Sequence, residues 1–157
     1  MQPEIGIPAK NLQNVIKVLS VYLANEATLY TKTRKFHWNV SGNSFMELHV
    51  LFENQYKLIE EAIDKIAERI GKLGGKAIGT MQEFTELKTL TESPNVYPSQ
   101  KEMTKELLND HEAIIVKLRE DVDLCAETYK DAVTTDFLTG LMEQHETIAW
   151  TLRRYLE

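Results

Sequence analysis

The sequence predicts an all-α fold: a four-helix bundle in which one long crossover connection carries a short helix. Three observations predict it. Apolar residues recur at helical spacing through four long stretches, Gly and Pro gather between them, and no useful length alternates apolar with polar residues as a strand would. The 157 residues suit one domain spanning 1–157, long enough to bury a sizeable core.

The first helix is expected from about Ala9 to Asn39, where Leu12, Val15, Ile16, Leu19, Leu23, Leu29 and Phe36 keep a period near 3.6. Val40-Ser41-Gly42-Asn43 breaks it. Ser44, three residues before Glu47, has the spacing of a capping box that opens a second helix. That helix carries Leu48, Leu51, Phe52, Tyr56, Ile59, Ile63, Ile66, Ile70 and Leu73, and Gly74-Gly75 stops it. A connection to about Ser99 follows, with Met81–Leu87 as a short helix and Pro94 and Pro98 in turns. The third long helix is expected from about Gln100 to Tyr129 and the fourth from about Thr134 to Leu156. Four long helices with one long middle connection form a bundle with a single crossover.

Composition narrows the function. Hydrophobic residues at 43% and charged residues at 27% describe a globular chain, not a disordered one. A net charge of −6 argues against tight binding of a phosphate backbone and suits attraction of cations. The lone cysteine, Cys125, excludes an intrachain disulfide framework and a Cys-rich zinc site, and fits a reducing, cytoplasmic setting. It reads as a small buried apolar side chain, and Met46, Met103 and Met142 as core filler. The segment Met1–Ile7 lacks a basic start and an apolar run, so no signal peptide is expected, and no stretch has the length and apolarity of a membrane span.

The four histidines invite a search for a metal site. Di-iron sites inside a bundle use Glu-x-x-His, but the residues three before each His are Arg34, Met46, Leu108 and Met142. A site of that kind is not expected. His111 and His145 read as structural or surface residues. On the second helix, taking His49 as zero, Glu53 falls near 40°, Asp64 near 60° and Glu68 near 100° at about 100° per residue. These four share a polar stripe beside the core face. His49 and Asp64 are separated by roughly 22 Å of helix at 1.5 Å per residue, so one chain cannot close both around one metal. His37 and His49 can meet across the helical hairpin, and Asp64 and Glu68 lie one turn apart. A two-fold axis running the second helix antiparallel to its twin brings the two halves together, with two equivalent sites per dimer. Against this stands the ordinary reading of a solvated acidic flank.

The residues His37-Trp38-Asn39-Val40-Ser41-Gly42, Phe45, Leu48-His49, Phe52 and Tyr56 resemble the signature of the Dps family. It continues in Asp64-Lys65-Ile66-Ala67-Glu68-Arg69 and Leu73-Gly74-Gly75, and the likeness in length and helix order covers essentially the whole chain. The resemblance implies a ferritin-like bundle assembled as a dodecameric homo-oligomer, a hollow shell with iron sites at two-fold interfaces. It implies His37 and His49 as iron ligands from one subunit and Asp64 and Glu68 from the partner, with Glu53 near a second, weaker iron site. It implies Fe(II) oxidation, preferably by hydrogen peroxide or else by oxygen, and storage of ferric oxide. Trp38 stands where the family has a Trp that intercepts stray oxidising equivalents; as a plain interface aromatic it needs no such role. Asp131 and Asp136 fall where related shells line the pore that admits iron, although helix capping also favours Asp there.

One departure matters. Several members of the family bind DNA through a Lys-rich tail, and this sequence has only Lys10 before its first helix. DNA is therefore not an expected partner, and Lys32, Arg34 and Lys35 read as a solvated helix end. The competing functions are a DNA-compacting protein with weak iron chemistry, a shell serving as a surface antigen or scaffold, and a shell holding zinc or manganese.

Overall fold

The computed structural model describes residues 3–157; Met1 and Gln2, which open the segment read as lacking a signal peptide, lie outside them. Five α-helices form in the order α1 (Ala9–Asn39), α2 (Phe45–Lys72), α3 (Met81–Leu87), α4 (Gln100–Asp123) and α5 (Ala132–Leu156). There is no strand among the described residues. No helix among them is long and apolar enough to cross a membrane.

Two helical hairpins make the bundle. α1 packs along α2, α4 packs along α5, and the connection carrying α3 lies over α1. Leu19, Leu23, Leu29 and Phe36 from α1 meet Phe52, Ile59, Ile66 and Ile70 from α2, and Leu107, Leu118, Leu138 and Leu152 close the other side. These are the periodic apolar positions of the sequence, and each helix turns that stripe inward.

Polar ties join the hairpins. The Tyr22 hydroxyl donates to Asp121 at 2.7 Å. Buried Lys32 pairs with Asp110 at 2.7 Å and Glu106 at 3.1 Å. Arg34 lies over the rings of Tyr30, Trp38 and Tyr56, and Lys35 donates to the Ser93 carbonyl. The three basic residues read as a solvated helix end are thus all engaged within the subunit. Desolvation forces such partners on buried charge, and a buried cation finds carboxylates.

Helix ends explain the remaining differences from the sequence reading. α2 stops as expected: the Gly75 amide bonds the Ile70 carbonyl, the Gly74 amide bonds that of Gly71, and Gly74 takes φ +83°. The capping box read at Ser44 and Glu47 does not form. Ser44 sits at φ −101°, ψ 29°, away from the extended conformation that aims an N-cap side chain at the next turn, and makes no cap bond. Capping boxes form instead at Thr80 with Glu83 and at Ser99 with Glu102. The third long helix changes winding, with a π-helical turn over Leu124–Tyr129 that ends at left-handed Lys130. Cys125 is buried within that turn, as expected, whereas Met46 is exposed and fills no core.

Candidate metal centre

The chain turns sharply between α1 and α2. Val40 leaves the helix in an extended conformation, Gly42 takes φ +114°, and α2 begins at Phe45. A short turn between antiparallel helices sets the last turn of α1 against the first turns of α2. His37 and His49 meet there, their rings stacked at 3.9 Å between centroids and 19° between planes.

The two histidines exchange hydrogen bonds. His37 Nδ1 donates to the His49 carbonyl at 2.8 Å, and His49 Nδ1 donates to the His37 carbonyl at 2.9 Å. A carbonyl only accepts, so each Nδ1 carries the hydrogen and each neutral ring keeps a bare Nε2. This is the arrangement that prepares an imidazole to ligate a metal: one nitrogen is fixed by a backbone acceptor and the other offers its lone pair. Tyr56 stands edge-on to His37 at 5.4 Å, and Phe45 lies against His49 at 5.1 Å. Packing on both sides limits ring rotation.

Glu53 lies one turn beyond His49 and is half-buried. Its carboxylate accepts from Lys57, whose ammonium holds it below the usual carboxylate range. It is therefore anionic at neutral pH. Trp38, next to His37, is 64% exposed and points away from the core, with Arg34 over its ring at 5.0 Å.

Asp64 and Glu68 occupy the far half of α2 and are exposed. Since α2 runs unbroken from Phe45 to Lys72, the helix rise separates them from His49 by roughly 22 Å or more. Only a salt bridge from Lys72 at 3.0 Å engages Glu68. Among the described residues, no group of three or more His, Cys, Asp or Glu in one subunit is placed to hold a metal ion. One subunit thus supplies an imidazole pair near one end of α2, with His37 only 8% exposed and His49 half-buried, and an exposed carboxylate pair near the other.

Of the two pore candidates, Asp136 is exposed, in a groove with Lys65 and Gln144 between α2 and α5. Asp131 is not free to line a pore. It is 2% exposed, caps α5 by accepting from the Thr134 amide at 3.0 Å, and takes Arg69 through both carboxylate oxygens at 3.0 and 3.1 Å. Cap chemistry explains this residue completely. His111 and His145 are not surface residues either, for both are fully buried and hydrogen-bonded to each other.

A family model described as a ferritin-like domain matches residues 16–157. DNA protection during starvation protein 2 of Bacillus anthracis is 37% identical over 145 residues, which are 92% of this chain and 97% of that protein. The chain belongs to the Dps family of the ferritin-like superfamily. A low temperature-induced protein of Nostoc sp. is 46% identical to this Dps chain over 153 residues, 98% of it and 86% of that relative. The solved Dps of Vibrio cholerae O1, described as a member of a broad superfamily of ferritin-like diiron-carboxylate proteins, superposes with a TM-score of 0.92 at 25% identity, over 99% of this chain and 97% of that one. The sequence motif located the imidazoles and carboxylates of this Dps subunit. The crossed carbonyl bonds, the Tyr56 edge contact and the stacking of Arg34 depend on side-chain direction and had no signal in the sequence.

Proposed function

We propose that this Dps chain is one subunit of a closed homo-oligomer, a dodecamer by its resemblance, that oxidises Fe(II) at sites shared between two subunits and stores ferric oxide inside. The observation that carries this reading is the locked pair His37 and His49, with bare Nε2 atoms, near one end of α2, whose other end holds the exposed Asp64 and Glu68. A two-fold axis across α2 sets the imidazoles of one subunit against the carboxylates of its partner. Imidazole and carboxylate together suit iron, and the carboxylates favour the ferric product.

The substrate chemistry balances with two irons. Two Fe(II) give up one electron each, hydrogen peroxide accepts both, its O–O bond breaks, and two hydroxides form. No hydroxyl radical leaves the site. The protein's part is to hold both ions at once, because a lone Fe(II) delivers one electron and releases the radical. Glu53 gives a second iron an anionic neighbour close to the imidazoles. Trp38 supplies an exposed oxidisable ring beside His37, and Asp136 lines the path by which cations reach the interior. The names of relatives refer to DNA protection; here Lys32, Arg34 and Lys35 are engaged within the subunit, so protection in this reading comes from removing Fe(II) and peroxide together.

Stopped-flow mixing tests the reading. Apo protein loaded anaerobically with Fe(II) is mixed with peroxide or with air, and ferric absorbance is followed. Oxidation by peroxide faster than that of free iron, and faster than by air, is expected. Oxidation no faster than free iron would overturn it.

A further inference from the structure

Met46, in the first turn of α2, carries the one sulfur atom of that helix. It is 63% exposed, whereas Met103 is 1% exposed and Met142 is half-buried against the core. On the wheel that takes His49 as zero, the buried positions Leu48, Phe52, Ile59, Ile66 and Ile70 fall between about −60° and −100°. Met46 falls near +60°, at the angle of Asp64 and close to that of Glu53 near +40°. A thioether thus stands within the polar stripe of α2.

Exposure alone gives a methionine no role. Its place on the helix does. Met46 precedes His49 by three residues, so their Cβ atoms are neighbours about 5–6 Å apart. Three rotatable bonds let the methionine side chain cover that gap. Asp64 and Glu68 meet the imidazoles only across the proposed two-fold axis, and the same antiparallel crossing carries that end of the helix past Met46. An opening that admits iron and peroxide to His49 admits them to this sulfur as well.

We propose that Met46 is a site of reversible sulfoxidation, which takes up hydrogen peroxide left over once the Fe(II) of the shared site is spent. This rests on the iron chemistry proposed above and adds a second fate for the oxidant. The step balances. A lone pair of the Met46 sulfur attacks one peroxide oxygen, the O–O bond breaks and an S–O bond forms. Sulfur loses two electrons and the peroxide gains them. The attacked oxygen passes its proton to the departing one, which leaves as water. An iron ion beside the peroxide polarises the breaking bond and eases that departure. Trp38 offers different chemistry, since an indole gives up single electrons and a thioether accepts an oxygen atom. The sulfoxide is polar and would disrupt a core, but at 63% exposure it displaces no packing. Methionine sulfoxide reductases return it to the thioether, so the site can be used again.

Peptide mapping by mass spectrometry tests the assignment. The assembled protein is loaded anaerobically with two Fe(II) per site and given excess hydrogen peroxide. N-acetylmethionine in the same tube reports the oxidation of a free thioether. Relative to that reference, Met46 sulfoxide is expected to form about tenfold faster with iron than when apo protein meets peroxide alone. His37→Ala/His49→Ala should return the ratio to the apo value, and a methionine sulfoxide reductase should restore the original mass. A ratio that ignores iron, alongside rapid iron oxidation in stopped flow, overturns the role of Met46 and leaves the iron reading standing. A ratio that ignores iron alongside slow iron oxidation overturns both.

Discussion

His37 and His49 each donate an Nδ1–H to the other's backbone carbonyl, at 2.8 and 2.9 Å across the α1–α2 turn. Each residue thereby serves twice, offering its own Nε2 and fixing the partner's ring through its carbonyl. Replacing either side chain removes one proposed ligand and also the crossed bond that ties the two helix ends. His37→Ala or His49→Ala is expected to lower the rate of Fe(II) oxidation by about tenfold to a hundredfold with the helical circular dichroism unchanged. Wild-type rates in both variants would show that the pair is not a metal centre.

The Lys32 ammonium is buried against two carboxylates, so removing it leaves Asp110 uncompensated. Burial already raises the Asp110 carboxyl, and the Lys32 bond acts against that rise. Lys32→Met is expected to cost about 3–5 kcal/mol in urea unfolding. Adding Asp110→Leu should recover part of that loss, because the orphaned charge goes with it.

The two capping boxes fix where α3 and α4 begin. Ser99→Ala is expected to cost about 1 kcal/mol, read as a shift in the urea midpoint at constant slope. Their acids also carry a pH signature. Backbone amides of Gly79 and Thr80 hold Glu83 below the usual range, and that of Ser99 does the same for Glu102. A folded pKa below the unfolded value of about 4.3 gives stability present above that pH and lost as pH falls through the folded value. Glu102→Gln should therefore flatten part of the acid limb of a stability profile.

DNA is expected to stay unbound. The chain carries net charge −6, and Lys32, Arg34 and Lys35 already have partners. An electrophoretic shift assay at physiological salt should show no retarded band; a stable complex there would contradict this account.

Much of this was legible in the sequence for a physical reason. Helical period, Gly-Gly at 74–75 and the spacing of His49 from Asp64 are one-dimensional quantities, and they placed α1, α2, α3 and the polar stripe. Local winding is not one-dimensional: apolar spacing through Val122 and Cys125 continues smoothly while the backbone widens into a π turn. Partner choice is not either. Asp131 reads alike as pore acid or helix cap until Arg69 is seen against it, and His111 and His145, 34 residues apart, give no sign of meeting. The Ser44 box failed because spacing alone does not fix the backbone angles that a cap requires.

The central claim is that one subunit's imidazoles work with its partner's carboxylates. The most direct test pairs two inactive variants, His37→Ala/His49→Ala and Asp64→Ala/Glu68→Ala, assembled together at equal amounts. A mixed dimer then holds one site with all four ligands and one with none. Random pairing makes half of the dimers mixed, so about one quarter of wild-type oxidation by peroxide should return on mixing. A mixture as inactive as its parents would contradict a shared site.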